Sequence, residues 1–362
     1  MNIQRIVARC AEHEAYFGLD AVHEVLAQIA DTLAPSQTAA CTRAPAIDRI
    51  LETFNLSDVL FDQNYKGTGN GLLCSIHTAP SILFIAHIDQ ISYLIDQQKS
   101  NDTWQLLPYC KHLSRIETTA IALRYSIASD AYVRVARGVL YSEVIEGELT
   151  PFFRILEGEL QVGDRIVYEH PLERDGDCVV GNIDNAAGAT ACLIAANALY
   201  RAFPRINIGF VFSDEEEGPS SNPMFFARGV RRLMRTIPMP EACVIIDGHG
   251  GRNGQDIGKG TFFTEKTGGG TATVTPPKLF ATVKALAQEL QAIDVFMFED
   301  LGRVSRSDDI PCLDVTANVI AVGYPSVNRH YDNGFPAASL KDIQNLAKTI
   351  FCLAATLGSA DE

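Results

Sequence analysis

The chain has no C-x-x-C pair, no basic stripe and no apolar stretch long enough to cross a bilayer. Each absence removes a class of function. Without paired cysteines neither a disulfide framework nor a thiolate zinc motif can be read. The nine cysteines, an odd number scattered singly, are expected to be reduced and largely buried. A net charge of -14 disfavours nucleic acid as a partner, because phosphate recognition needs clustered lysine and arginine. A membrane span needs about 20 consecutive apolar residues, and none is found. Residues 1–24 mix Arg, Glu and His throughout and lack the apolar core of a signal peptide, so a cytoplasmic location is expected. What remains is a composition 47% hydrophobic and 20% charged, that of a soluble globular protein. Its 362 residues suffice for one large domain or two smaller ones.

Against that background the densest chemical feature is Ser213-Asp214-Glu215-Glu216-Glu217-Gly218, directly after the apolar run Ile206–Phe212. A buried strand ending in adjacent carboxylates concentrates negative charge at the rim of a sheet. Such charge needs a cation or a donor network to hold it, unless the turn is simply solvated.

The pattern along the chain alternates between two textures. Ala21–Leu33 and Ala46–Leu60 read as amphipathic helices, followed by strands Gly71–Ser75 and Ser81–Ala86. From about Gln97 to Cys178, short β-rich runs alternate with turns, as in an inserted small β-barrel or sandwich. After Gly181 the order becomes helix Ala187–Tyr200, strand Ile206–Phe212, helix Pro223–Arg235 and strand Ala242–Ile246. A Gly-rich loop Thr267–Thr271, helix Pro277–Ile293, strands Asp294–Glu299 and Val315–Val322, and helix Ser339–Leu357 complete the chain. This order predicts an α/β fold, a mostly parallel mixed sheet flanked by helices, with an inserted small β-barrel domain. The expected division is residues 1–96 and 179–362 for the main domain, split by the insert at 97–178.

Other candidate ligands follow the same strand-end placement. His87 and Asp89 follow one strand and Asp247 another. Asp184 precedes the Ala-rich helix, and His330 lies beyond the last strand. In open α/β sheets, sites gather beyond the carboxyl ends of the strands. Each residue also has a plainer reading: His87 as a hydrogen-bonded loop residue, Asp184 as a helix cap, Asp247 as a turn residue, His330 as a surface histidine. Taken together, two histidines, two aspartates and a glutamate suit a zinc-type pair of ions. Lys266–Thr271 reads either as a cleft-lining loop or as a flexible turn.

The ordered set Ala86-His87-Ile88-Asp89, Asp184-Asn185-x-x-Gly188, Glu215-Glu216-x-Gly218, Asp247 and His330 resembles the dinuclear zinc aminopeptidases. It is most similar to their tetrahedral-aminopeptidase and glutamyl-aminopeptidase branch, which includes proteins once called cellulase M. Val162–Val167 and the tail from His330-Tyr331 to Ile343 resemble the same branch. The resemblance implies a metal-dependent aminopeptidase holding two divalent ions, zinc or alternatively cobalt or manganese. Asp184 would bridge them, with His87 and Asp247 at one ion and Glu216 and His330 at the other. Glu215 would be the general base and Asp89 would orient His87. It further implies peptide substrates and a homo-oligomer, with a dodecamer as one such assembly. Gln90, Ala186, Tyr331-Asp332 and Gly334 depart from the branch's usual residues. The competing readings are a deacylase of N-acyl amino acids and a non-catalytic relative with a structural role.

Overall fold

A computed structural model describes residues 2–218, 226–250 and 254–358. The first strands are β1 (Val59–Asp62), β2 (Gly71–Ser75) and β3 (Ile82–His87). They are followed by β4 (Ser92–Gln98), β5 (Thr103–Pro108), β6 (Thr118–Ser126), β7 (Ala131–Ile145), β8 (Glu148–Gly158) and β9 (Arg165–Tyr168). Then come β10 (Glu173–Asp175), β11 (Cys178–Val180), β12 (Ile208–Ser213), β13 (Ala242–Gly250), β14 (Thr261–Thr264), β15 (Met297–Glu299), β16 (Val319–Val327) and β17 (Ala337–Ser339). The helices are α1 (Ile3–Glu12), α2 (Leu19–Ala30), α3 (Arg43–Phe54), α4 (Ala186–Ala202), α5 (Arg228–Leu233), α6 (Pro277–Leu290), α7 (Asp309–Cys312) and α8 (Leu340–Leu357).

The main sheet is mixed. Its centre, β12-β3-β13-β16, is parallel throughout, and antiparallel strands extend it on both sides. The central strands are mostly apolar and buried along nearly their whole length because both faces are covered. Ile82, Phe84 and Ala86 of β3 pack with α1 to α4, α6 and α8, while Leu83 and Ile85 pack with α5. Helix α4 is buried along Ala186–Tyr200, with small residues where other helices and strands press on it.

Strands β4-β5-β8-β7-β6-β9 close into an antiparallel barrel, so the expected β-rich insert is a closed barrel whose strands run from Ser92 to Tyr168. Its core of Tyr93, Leu106, Leu140, Phe153 and Ile166 also takes in Tyr331, far along the chain. The Tyr331 ring stacks on Tyr168 with centroids 3.7 Å apart. The barrel is thus docked against the loop that carries His330.

Several expected elements differ in extent. The helix expected to run to Leu60 ends at Phe54, where Asn55 turns into the left-handed region (φ 52°), and Val59–Asp62 is a strand instead. Asp294, also left-handed, delays the next strand to Met297–Glu299. The following strand runs from Val319 to Val327 rather than from Val315 to Val322. Helix α5 occupies Arg228–Leu233, and the beginning of the helix expected from Pro223 lies outside the described residues.

Candidate metal centre

The register of the parallel strands brings three chain segments to one level. Ser213 at the end of β12 pairs with His87 at the end of β3, and Ile245 of β13 pairs with Ile85. Two residues further along β13, Asp247 therefore stands level with His87. Asp184 follows β11, which runs in the same direction as β16 across β17, and lies just before α4. That helix is capped by Asn185, whose side-chain oxygen accepts from the Gly188 N–H at 3.1 Å. Asp184 is therefore not the cap. A Cβ at Gly188 would lie 2.3 Å from that oxygen, so the cap needs glycine there. Asn185 Nδ2 also donates to the Ile246 carbonyl at 2.6 Å, tying the loop to β13 beside Asp247.

His87 Nε2 lies 3.6 Å from Asp184 Oδ1, 3.8 Å from Asp247 Oδ1 and 3.8 Å from Glu216 Oε2. The other ring nitrogen, Nδ1, lies 3.2 Å from the Asp89 carbonyl oxygen and 3.5 Å from its carboxylate. That arrangement turns Nε2 toward the carboxylates. Asp89 also accepts from the backbone N–H groups of Glu216 and Glu217, at 3.1 Å each, and from the Ser36 hydroxyl. One buried carboxylate thus fixes both the histidine and the acidic turn. Behind Asp247, the buried Arg303 donates to Oδ2 at 2.9 Å. Arg329 Nη1 stands 3.5 Å from Asp184 and 3.7 Å from Asp247.

Glu215, expected as the base, is not brought to His87. Its backbone is left-handed (φ 62°), and the side chain leaves the cluster to hydrogen-bond Arg232, with Arg228 at 3.8 Å. Asp214 is a structural anchor, accepting from the N–H groups of Gln37, Ala39 and Glu215. Glu217, which the sequence pattern leaves without a role, points into the cluster instead. Its carboxylate lies within 4.8 Å of ligand atoms on His87 and Asp184, and also of those on Cys110 and His330. Gly218 is required here, because a Cβ would meet the Tyr109 ring at 2.4 Å.

Cys110 and His330 form the remaining wall, with Sγ 3.7 Å from His330 Nδ1. Cys110 belongs to the loop between β5 and β6, and His330 to the loop after β16. A backbone bond from Arg115 to the Asp332 carbonyl joins the two loops. With His87, Asp184, Glu216, Glu217 and Arg329, Cys110 and His330 line a cavity of about 260 Å³, near the lower end of ligand-pocket sizes. Lys111, Leu113, Phe226, Val304 and Ile310 form its outer rim. The loop Thr267–Thr271 does not line the cavity. Thr267 and Thr273 bind Asp309, and Gly268 and Gly269 donate to the carbonyls of Ser305 and Arg303, bracing the segment that does.

The charge balance favours a bound cation. Burial drives Glu216 and Glu217 above the ordinary carboxylate range, opposed by His87 and His330 respectively. Burial would also raise Asp247, but the nearby His87 ring and the guanidinium groups of Arg303 and Arg329 hold it well below that range. His87 is raised well above its usual value, because the surrounding carboxylates outweigh its burial. Asp308, under Ser213, is pushed up to about 7 by burial. Asp184 Oδ1 and Asp247 Oδ1 are buried without a hydrogen-bond partner, and both face His87 Nε2. Separations of 3.6–3.8 Å are near the ~3.4 Å between tetrahedral ligands each about 2.1 Å from a zinc ion. The donor set fits divalent metal.

Solved structures share this fold. A TET aminopeptidase from a marine sediment Thaumarchaeota archaeon superposes with a TM-score of 0.71 at 14% identity, covering 92% of this chain and 96% of that one. An aminopeptidase of Desulfurococcus kamchatkensis gives 0.69 at 16% identity, over 97% and 98% of the chains. The TET1 peptidase of Pyrococcus horikoshii, which can assemble into a tetrahedron or an octahedral shell, gives 0.67 at 16%, over 92% and 99%. No curated protein sequence matches significantly. The profile of peptidase family M20/M25/M40 matches residues 171–356, just over half of the chain and the part that carries Asp184, Glu216, Glu217, Asp247 and His330. The chain belongs to peptidase family M20/M25/M40 and is a hydrolase acting on peptide bonds.

Proposed function

We propose that this hydrolase is an aminopeptidase working with two divalent metal ions, zinc foremost, in the cavity between the main sheet and the barrel. The observation that carries the reading is the pair of buried, unpartnered oxygens on Asp184 and Asp247 facing His87 Nε2. His87, Asp247 and Asp184 would hold one ion, and Asp184, Glu217 and His330 the other. When bound, the ions supply Lewis acidity that acidifies water and polarises the scissile carbonyl.

The chain's own residues divide the remaining work. Glu216, turned into the cavity and raised by burial, is suited to take a proton from water and return it to the leaving amine. Glu215, neutralised by Arg232, is not. The sequence-based roles of base and ligand therefore each move one residue along the chain. Asp89 is a positioning residue, holding His87 and the Glu216–Glu217 turn together. The small cavity suits the end of an extended peptide, whose free amine would be met by buried carboxylates.

Aminoacyl and N-acyl chromogenic substrates separate this reading from deacylation. Hydrolysis of the aminoacyl series alone is expected, and turnover confined to N-acyl compounds would overturn it. Homo-oligomerisation belongs to the same proposal, supported by exposed apolar residues on the barrel such as Ile127, Val144 and Leu156. Light scattering giving only monomer would refute that part.

A further inference from the structure

The second ion position contains a group that the sequence comparison did not supply. Cys110 reaches the cavity from the barrel, on a loop fixed at several points. Tyr109 packs against Gly218, its N–H donates to the Ser92 carbonyl, and its hydroxyl donates to Gln37. The Arg115–Asp332 bond holds the far end of the loop to the loop carrying His330. The thiol is therefore positioned by both of its neighbours, the acidic turn and the histidine loop.

We propose that Cys110 is a thiolate ligand of the second ion, beside Glu217 and His330. The proposal rests on the di-metal reading above and adds a fourth donor to it. Sγ and His330 Nδ1 are 3.7 Å apart, close to the ~3.6 Å between sulfur and nitrogen ligands on one tetrahedral zinc. Glu217 is within 4.8 Å of both, and the same residue lies within 4.8 Å of His87 and Asp184. Asp184, 6% exposed with Oδ1 unpartnered, is an independent sign that a cation belongs between these groups. On binding, the S–H bond breaks, the sulfur lone pair goes to the metal and the proton passes to solvent. A thiolate makes this position softer than an all-oxygen and nitrogen site, favouring zinc over manganese or magnesium.

Cobalt(II) provides the test, because a cobalt–thiolate bond gives an intense near-ultraviolet charge-transfer band that oxygen and nitrogen ligands do not. The purified full chain is stripped with chelator and titrated with cobalt, and bound metal is counted alongside the spectrum. A band is expected, together with its loss in Cys110→Ser while circular dichroism stays unchanged. Cys41→Ser, an exposed control, should keep the band. If Cys110→Ser perturbs the fold, wild-type cobalt protein carries the test alone, since protection of Cys110 from alkylation by cobalt must accompany the band. About two cobalt ions bound without a band would overturn the thiolate ligand and leave the di-metal reading standing. A band that survives Cys110→Ser would do the same. Failure to bind cobalt at all would overturn both.

Discussion

The two walls of the candidate ligand cluster are built on different principles. The wall of His87, Asp184 and Asp247 grows from strand ends and a helix start, set level by backbone register and braced by Asp89, Asn185 and Arg303. The wall of Glu217, Cys110 and His330 is assembled from a turn and two loops, brought together because the barrel packs on Tyr331. Hydrogen-bonded strands preorganise ligands, whereas loops must be held in place by tertiary packing. The strand-built position should therefore bind its ion more tightly, and the loop-built position should empty first.

Substitutions can break that comparison, beginning with the largest effect. Removing His87 or Asp247 (His87→Ala, Asp247→Ala) should abolish measurable hydrolysis and lower metal content at both positions. His330→Ala should remove only one ion, as read by metal analysis of dialysed protein. Equal losses from the two walls would contradict their inequality. Glu216→Gln should lower kcat by about 10²–10⁴-fold with both ions retained, and a variant near full activity would exclude Glu216 as the base. Asp89→Asn should cost about 10–100-fold in metal affinity or activity, because it loosens His87 and the acidic turn together. The smallest change belongs to Glu215→Gln. Glu215 is buried while its partner Arg232 is partly solvent-exposed, so stability should fall by about 1–3 kcal/mol, with turnover within a few-fold of wild type. Loss of hydrolysis in that variant with metal and fold intact would return the base role to Glu215.

The same contrast explains how much of the site was legible in the sequence. His87 and Asp247 stood out because a chemically distinct residue closing an apolar strand run is visible in one dimension. Asp184 stood out beside an Ala-rich helix, and only the structure shows that Asn185 takes the capping role beside it. The α/β frame and the β-rich insert were readable for the same reason, as differences of period and texture. Which two of three consecutive glutamates enter the cavity was not readable. That depends on the left-handed turn at Glu215, which shifts the side-chain phase by one residue. Arg329 neighbours the candidate ligand His330 in the sequence, but its approach to Asp184 and Asp247 is visible only in the structure. Cys110 and Arg303 carried no local signal, being placed by contacts between distant parts of the chain.

Two ions sharing one cavity are the basis of the proposed hydrolysis, and counting metal in the purified chain tests this most directly. About two transition-metal ions per chain are expected, with chelation abolishing peptide hydrolysis and restored zinc recovering it. A folded chain that carries no metal, or that hydrolyses peptides equally well after chelation, would contradict it.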